Sequence, residues 1–104
     1  MNQETLSRLS HTAAQIRLGI LESTHAAKSG HPGGSLSIAE LLSFLYFEEM
    51  RVDPKKPQDP DRDRLVLSKG HAAPGLYAAL ALRGYFPVEM LKTLRQADSI
   101  LQGH

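Results

Sequence analysis

The chain of 104 residues contains no cysteine, which excludes disulfide bonds, thiolate zinc sites and cysteine nucleophiles. It also has little excess charge, because 12 lysines and arginines face 11 acidic residues and give a formal net charge of +1. A charge this small provides no strong field to hold nucleic acid or an anionic membrane non-specifically. With 41% hydrophobic and 22% charged residues, the composition is typical of a soluble globular protein.

Long apolar runs are missing as well. No stretch approaches the roughly 20 consecutive apolar residues that cross a bilayer. The first four residues lack the basic and apolar regions of a secretory signal. We therefore expect a cytoplasmic protein that has no membrane partner, and a length of 104 residues allows one domain at most.

Apolar residues spaced three and four apart predict a long first helix that ends before Gly30 and Pro32. A glycine-rich loop is expected over residues 29–35. Ser37 and Glu40 then have the spacing of a capping box, which predicts a second helix. We expect this helix to run to about residue 50. The predicted buried face of the first helix consists of Leu6, Leu9, Ala13, Ile16 and Ile20.

Residues 53–63 hold three prolines and almost nothing apolar, which predicts a solvated surface loop. The short apolar run that follows predicts a buried strand near 64–68. A third helix is expected from about residue 71 or 72 to Arg83, with Gly84 as its C-terminal cap. A fourth helix is expected to start near Pro87.

Two of these elements indicate an incomplete domain. The third helix has no polar face over residues 76–82, which is typical of a helix covered on every side. One strand also cannot form a sheet by itself. We infer that residues 1–104 are a single partial domain and that further strands and helices lie beyond His104 or in a partner chain. The alternative is a small all-helical bundle in which residues 65–67 are a buried connector.

The placement of histidine is the most informative local feature. Of five histidines, His31, His71 and His104 each directly follow a glycine, whereas about 0.4 such pairs are expected by chance from this composition. Glycine permits close approach of the backbone to a ligand, and imidazole exchanges protons near neutral pH. These three are therefore candidate site residues, with ordinary turn composition as the alternative. His11 and His25 lie inside the first helix and are interpreted as surface or packing residues.

The strand, turn and helix start around Lys69, Gly70 and His71 form a general anion site, because a helix N-terminus presents unpaired amides and a positive dipole end. A diphosphate group fits such a site. The nucleotide-binding patterns G-x-x-x-x-G-K-[ST] and G-x-G-x-x-G are both absent from the sequence.

Metal and DNA binding are weaker hypotheses. Asp59, Asp61 and Asp63 alternate as in a calcium loop, but Arg64 and Gly70 stand where that loop requires glycine and glutamate. Zinc binding by the three glycine-preceded histidines stays open as an alternative, although zinc ligands separated by about 33 to 40 residues are unusual. No helix carries the stripe of lysine, arginine, asparagine and glutamine that a DNA-reading helix uses.

Four segments stand out together in the sequence: SGHPGGS at 29–35, RDRLVLSKGHA at 62–72, LRQ at 94–96 and QGH at 102–104. They resemble the N-terminal part of transketolase, most closely the split form in which two shorter chains share the enzyme. The resemblance extends from about residue 6 to residue 104. It implies an α/β fold, namely the start of a thiamine diphosphate-binding domain with a mostly parallel sheet, of which this segment is mostly helical.

The resemblance implies transfer of a two-carbon ketol unit between sugar phosphates, as in the pentose phosphate pathway, with thiamine diphosphate as cofactor. It places His31 against the sugar near the reacting carbons, where an imidazole N–H stabilises a developing oxyanion. It places His71, with Lys69 and Gly70, against the cofactor diphosphate. His104 is expected to position the hydroxyl and carbonyl end of the donor sugar.

Other parts of the transketolase site are not found in this chain. The Gly-Asp-Gly magnesium motif of the family is absent, so the Mg²⁺ ligands are expected elsewhere, as is the glutamate that activates the cofactor. We therefore expect the chain to be inactive alone. Its expected partner is the remainder of a transketolase, a C-terminal segment or a separate chain, in a dimer or hetero-assembly. The alternative function is a non-catalytic interaction fragment that pairs with a partner chain without binding cofactor.

Overall fold

The computed structural model describes residues 2–27, 32–68, 72–94, 96 and 99–101. All regular elements in this part of the chain are helical. No helix among these residues is long and apolar enough to cross a membrane. In chain order the elements are α1 (Gln3–Ala27), α2 (Pro32–Leu36), α3 (Ala39–Phe44), a π-helical turn (Leu45–Glu49), α4 (Ala73–Arg83) and a 3₁₀ helix (Val88–Thr93).

The long helix α1 confirms the first predicted element. The Asn2 side-chain oxygen accepts a hydrogen bond of 2.7 Å from the Thr5 amide and so caps the first turn. The prediction that Leu6 is buried is wrong, because Leu6 is half exposed and lines a small cavity of about 160 Å³. The rest of the predicted face is buried, namely Leu9, Ala13, Ile16 and Ile20.

The segment after α1 departs from the expected glycine loop and capping box. Residues 32–36 form the short helix α2, although a loop is predicted over 29–35. The Ser37 hydroxyl donates to the Gly34 carbonyl at 2.7 Å, and Ile38 is the N-cap residue of α3, where no side chain caps the helix. The capping box is therefore wrong. The Ser37 amide donates to the Gly33 carbonyl at 3.1 Å, so residue 37 still belongs to the turn that ends α2, and the N-cap position falls on Ile38.

The second predicted helix has about the expected extent, but its last turn is π-helical. The Met50 amide donates to the Leu45 carbonyl, five residues back, at 2.8 Å. Two arginines from other helices donate hydrogen bonds to carbonyls of this π-helical turn. Arg83 Nε donates to the Tyr46 carbonyl at 2.9 Å, and an Arg8 guanidinium nitrogen donates to the Phe47 carbonyl at 3.0 Å. Tertiary contacts thus satisfy groups that an ordinary helix pairs internally.

The predicted surface loop over 53–63 is confirmed as irregular, and a pair of hydrogen bonds closes it at its ends. The Asp63 amide donates to the Arg51 carbonyl at 2.9 Å, and the Arg51 amide donates to the Asp63 carboxylate at 2.6 Å. The strand predicted near 64–68 is not confirmed, because these residues carry no strand. A strand is defined by a neighbouring strand, and the described residues offer none. Val66 is accordingly 88% exposed.

Helix α4 confirms the third predicted element and its cap. It ends at Arg83, and Gly84 has a φ of 110°, a left-handed conformation that favours glycine. The expectation that α4 is buried on every side holds only for its small residues. Its larger ones are partly exposed, because the described neighbours cover one side of the helix. The buried set is Ala73, Pro74, Gly75, Ala78, Ala79 and Ala81, and the half-buried set is Leu76, Tyr77, Leu80 and Leu82.

The core lies where α1, α4 and the 3₁₀ helix meet. Gly19 permits this approach, since a Cβ atom there would lie 3.0 Å from Ala78 Cβ and 3.2 Å from Leu91 Cδ1. The fourth helix, predicted to start near Pro87, is present as this 3₁₀ helix. Leu94 and Leu101, which follow it in the sequence, belong to the same buried cluster.

Candidate functional site

The predicted site residues fall outside the part of the chain that the structure describes. This holds for all five of them: His31, Lys69, Gly70, His71 and His104. The expectation that these residues bind the cofactor and the sugar substrate therefore stays a prediction. The structure does describe the segments that border these residues in the sequence, and their geometry can be examined.

The segment after His31 is bonded directly to the segment after His71. Ser35, at the end of the first motif, is fully buried, and its Oγ accepts a hydrogen bond of 3.0 Å from the Gly75 amide in α4. The two residues are 40 positions apart. Gly75 makes this approach possible, because a Cβ atom there would lie 3.2 Å from Ser35 Cβ. The structure thus joins α2 to the first turn of α4.

This bond also changes the expected anion site at the start of α4. Ala72 is the N-cap residue and makes no side-chain capping bond. Pro74, in the first turn, has no amide hydrogen, and the Gly75 amide is occupied by Ser35. The helix start therefore offers fewer free donors than its dipole suggests. Any diphosphate contact must rely mainly on groups that precede Pro74.

Sequence reasoning did not identify Ser35 as the residue that caps α4. Its only signal was its position at the end of the glycine-rich segment. A capping residue is normally sought one to three positions before the amides that it serves. Here the acceptor lies in another helix, so local sequence patterns could not reveal it.

The segment before His104 is held by a compact hydrogen-bond network. Thr93 Oγ1 and Ser99 Oγ lie 2.6 Å apart, and Ser99 Oγ accepts a bond of 3.0 Å from the Leu101 amide. The Leu101 side chain is buried in the core. The chain is therefore anchored three residues before His104.

The other histidines and the aspartates of the calcium hypothesis lie within the described residues, whereas the three histidines of the zinc hypothesis lie outside them. His11 and His25, interpreted as surface or packing residues, are both exposed on α1, so they are surface residues. Asp59, Asp61 and Asp63 lie in the surface loop, where the Asp59 side chain accepts a bond of 3.0 Å from the Asp61 amide. Among the described residues there is no group of three or more histidine, aspartate or glutamate side chains that could hold a metal ion.

A cavity of about 320 Å³, bordered by described residues, lies beside the segment predicted as a strand. The π-helical turn, the surface loop and the end of α4 enclose it. Burial, and secondarily the neighbouring Tyr85, raise the pKa of Tyr46 above its usual value of 10.0. The cavity is lined by Tyr46, Met50, Val52, Pro57, Leu80, Tyr85 and residues 62–66.

Comparison with known proteins identifies the family. A family model described as transketolase, thiamine diphosphate binding domain, matches residues 9–104. This chain belongs to that transketolase family. The expected resemblance is thereby confirmed over almost the whole sequence. The expectation of a thiamine diphosphate-binding domain that is mostly helical over this segment is confirmed, while the parallel sheet of an α/β fold stays a prediction.

This chain is similar both to transketolase subunits and to a transketolase that is not named as a subunit. It is 55% identical over 96 residues, 92% of its length, to the 6-deoxy-6-sulfo-D-fructose transketolase subunit SqwG of Clostridium sp. (strain MSTE9). It is 43% identical over 104 residues, its full length, to one of the subunits of the apulose-4-phosphate transketolase of Phocaeicola vulgatus. It is also 44% identical over 103 residues, 99% of its length, to the transketolase of Homo sapiens.

The chain spans only a part of each of these transketolases. The aligned region covers 35% of the Clostridium protein and 36% of the Phocaeicola protein. It covers 16% of the human enzyme. The family is therefore established for this chain, and the activity of a whole transketolase is considered as a proposal.

Proposed function

We propose that this chain is the N-terminal, thiamine diphosphate-binding part of a transketolase that transfers a two-carbon ketol unit between sugar phosphates. The family match over residues 9–104 carries the proposal. We assign the chain to one incomplete domain, 1–104, because its relatives extend well beyond the aligned region.

The bond between Ser35 and Gly75 supports a shared site for the first two motif histidines. His31 precedes Ser35 by four residues, and His71 precedes Gly75 by four residues. The segments that follow the two histidines therefore meet at one point of the fold, where Ser35 Oγ and the Gly75 amide are 3.0 Å apart.

The residue roles follow the family motifs and the chemistry of the side chains. His71, Lys69 and the backbone at Gly70 are proposed to bind the diphosphate of the cofactor, since they combine positive charge with hydrogen-bond donors. His31 and His104 are proposed to contact the sugar substrate. The segment before His104 is anchored at Leu101, which provides a fixed base for such a contact.

The bound cofactor supplies the chemistry that breaks and forms the carbon–carbon bond. The residues of this chain transfer protons and orient the substrate. One proton leaves the C3 hydroxyl of the donor as the C2–C3 bond breaks, and another is delivered to the new alkoxide of the acceptor. A neutral imidazole within hydrogen-bond distance can serve either transfer, and its N–H can stabilise the oxyanion. We assign this support to His31 and substrate positioning to His104.

The proposed partner is the remainder of a transketolase, a further segment or a separate chain, in a dimer or hetero-assembly. That remainder would supply the ligands of Mg²⁺ and the activating glutamate. Exposed apolar side chains on the described helices support a larger assembly, because Leu18 and Leu21 of α1 and Leu41 of α3 are each about half exposed. A cytoplasmic location stays a prediction from the sequence.

The α/β architecture is proposed to be completed in the same assembly. Residues 64–68 contain the exposed Val66 and border the 320 Å³ cavity. An added strand would pair with this segment and cover that cavity, which would give the segment the hydrogen-bonded neighbour that it lacks among the described residues.

Titration calorimetry tests the proposed cofactor site. The sample is the assembly of this chain with the remaining transketolase polypeptide, titrated with thiamine diphosphate in the presence of Mg²⁺. We expect His71→Ala to weaken binding at least about tenfold, as loss of a charge-assisted hydrogen bond would. His11→Ala is the matched control, because His11 is exposed on α1 and should leave the affinity unchanged.

The non-catalytic alternative predicts a different result in the same experiment. A fragment that pairs with a partner without binding cofactor would form the assembly and yet show no thiamine diphosphate binding. Equal affinity of the native assembly and the His71→Ala assembly would also contradict the proposed diphosphate contact.

A further inference from the structure

We infer that Ser35 is a positioning residue for the proposed cofactor site, acting through Gly75. The inference rests on the proposed function. Ser35 would hold the start of α4 in the arrangement that presents His71 and its neighbours to the diphosphate. It needs no contact of its own with cofactor or substrate.

The first observation is that α4 has no local cap. Its N-cap residue, Ala72, has no side-chain hydrogen-bonding group, and no side chain of this position caps the helix. The Gly75 amide nevertheless has an acceptor, Ser35 Oγ at 3.0 Å. The orientation of the first turn therefore depends on a residue from α2 rather than on its own sequence.

The second observation is that the contact between Ser35 and Gly75 is closely packed and buried. Ser35 has no exposed surface, and the space opposite Gly75 is filled by Ser35 and by Leu42 of α3. A Cβ atom at Gly75 would lie 3.2 Å from Ser35 Cβ and 3.4 Å from Leu42 Cδ1. Packing this close prevents a nearer approach of α2 to α4. The steric contact thus sets the shortest separation of the two helices, and the hydrogen bond opposes their moving apart.

The third observation is the place of the contact in the sequence. Ser35 ends the motif that contains His31, and Gly75 lies four residues after His71. A loss of the bond would let the two motif-bearing segments sample other separations. The fraction of molecules with a binding-competent site would fall, and the apparent affinity for the cofactor would fall by the same factor.

The test compares two buried serines in the transketolase assembly. Ser43 is the matched control, because it is also buried and its Oγ donates to the Leu9 carbonyl at 2.7 Å, which links α3 to α1. We expect Ser35→Ala and Ser43→Ala to lower the unfolding midpoint by similar amounts. Only Ser35→Ala should weaken thiamine diphosphate binding, by about tenfold, the equivalent of one typical hydrogen bond.

A second variant covers the case in which Ser35→Ala does not assemble. Ser35→Cys keeps the shape of the side chain, with a larger sulfur atom that is a weak acceptor, so the affinity of its assembly for thiamine diphosphate should lie between that of the native assembly and a complete loss of binding. Turnover at saturating cofactor should recover in each variant, because the proposed role affects occupancy of the site rather than the chemical step.

The outcomes separate this inference from the proposed function. If the native assembly does not bind thiamine diphosphate, the proposed function fails. If it binds, and Ser35→Ala or Ser35→Cys binds equally well, only the positioning role is wrong. An equal loss of affinity in Ser35→Ala and Ser43→Ala would show a general effect of destabilisation and would also overturn it.

Discussion

Gly19 of α1 faces Ala78 of α4 so closely that a Cβ atom at position 19 would lie 3.0 Å from Ala78 Cβ. The same atom would lie 3.2 Å from Leu91 Cδ1 of the 3₁₀ helix. The three elements that form the core thus meet at a residue without a side chain. This arrangement explains why a glycine occupies the middle of a long helix, where it is otherwise unfavourable by about 1 kcal/mol relative to alanine.

Gly19→Ala should therefore destabilise the protein despite the better helix propensity of alanine. We expect a net loss of about 1–3 kcal/mol in the free energy of unfolding, as is typical of overpacked cores. Urea unfolding followed by circular dichroism measures it. Gly33→Ala is the control, because among the described residues no atom beyond its chain neighbours and its own helix backbone lies within 4 Å of a Cβ built there. A loss of stability in that variant alone would contradict the steric argument.

Gly84→Ala should destabilise the end of α4. Gly84 has a φ of 110°, and L-residues pay about 1–2 kcal/mol in the left-handed region. The nearest atom to a Cβ there is Pro54 Cγ at 3.7 Å, so the cost comes from the backbone and not from a clash. The unfolding midpoint in urea should fall accordingly. An unchanged midpoint would show that α4 can end in another way.

Arg83→Lys should cost more than its conservative appearance suggests. Arg83 donates through Nε to the Tyr46 carbonyl at 2.9 Å and through a second nitrogen to the Val52 carbonyl at 3.1 Å. A lysine ammonium cannot reproduce this planar pair of donors. We expect a loss of about 1–3 kcal/mol, because at least one partly buried carbonyl is left without its partner.

The control for Arg83 is Arg17→Lys. Arg17 forms an ion pair with the exposed Glu40. Exposed pairs contribute about 0–1 kcal/mol, and lysine can maintain such a pair. Thermal unfolding of both variants distinguishes the two roles. Equal destabilisation would mean that the hydrogen bonds of Arg83 stabilise the fold no more than an exposed ion pair does.

The free energy of unfolding should fall at alkaline pH as Tyr46 loses its proton. Burial, and then Tyr85, raise the pKa of Tyr46 in the folded state above 10.0, so the folded chain holds this proton more tightly than the unfolded chain. The resulting stabilisation is complete below about pH 10, the pKa of an unfolded tyrosine, and is lost as pH rises through the higher folded-state pKa.

Tyr46→Phe measures this contribution. The difference in free energy of unfolding between the native protein and the variant should be constant from about pH 7 to 9. It should then shift against the native protein at higher pH, by at most about 1.4 kcal/mol per pH unit. A difference that stays constant to about pH 12 would contradict the raised pKa.

The isolated chain should show no ketol transfer. Thiamine diphosphate, Mg²⁺ and a pair of sugar phosphates are mixed with the purified 104-residue chain, and product is followed by a coupled assay. A magnesium–diphosphate complex requires oxygen ligands that we place in the rest of the assembly. Measurable turnover by the chain alone would contradict this placement. Addition of the remaining polypeptide, the positive control, should restore transfer.

Much of the helical framework could be predicted because it depends on residues close in the sequence. Spacings of three and four correctly predicted the buried face of α1 from Leu9 to Ile20, and a glycine at position 84 correctly predicted the end of α4. The capping box at Ser37 was wrong because the turn that ends α2 includes Ser37, whose amide donates to the Gly33 carbonyl at 3.1 Å, and this moves the N-cap of α3 to Ile38.

The family and the motif residues follow from local sequence patterns, since His31, His71 and His104 are recognised from the residues beside them. Only the packing of the helices lets Ser35 cap α4 across 40 positions and brings two arginines to the π-helical turn. The structure also leaves residues 64–68 without a strand partner among the residues that it describes. The physical reason is range: periodicity and motifs are properties of neighbouring residues, whereas these hydrogen bonds exist only once packing has fixed the distances between helices.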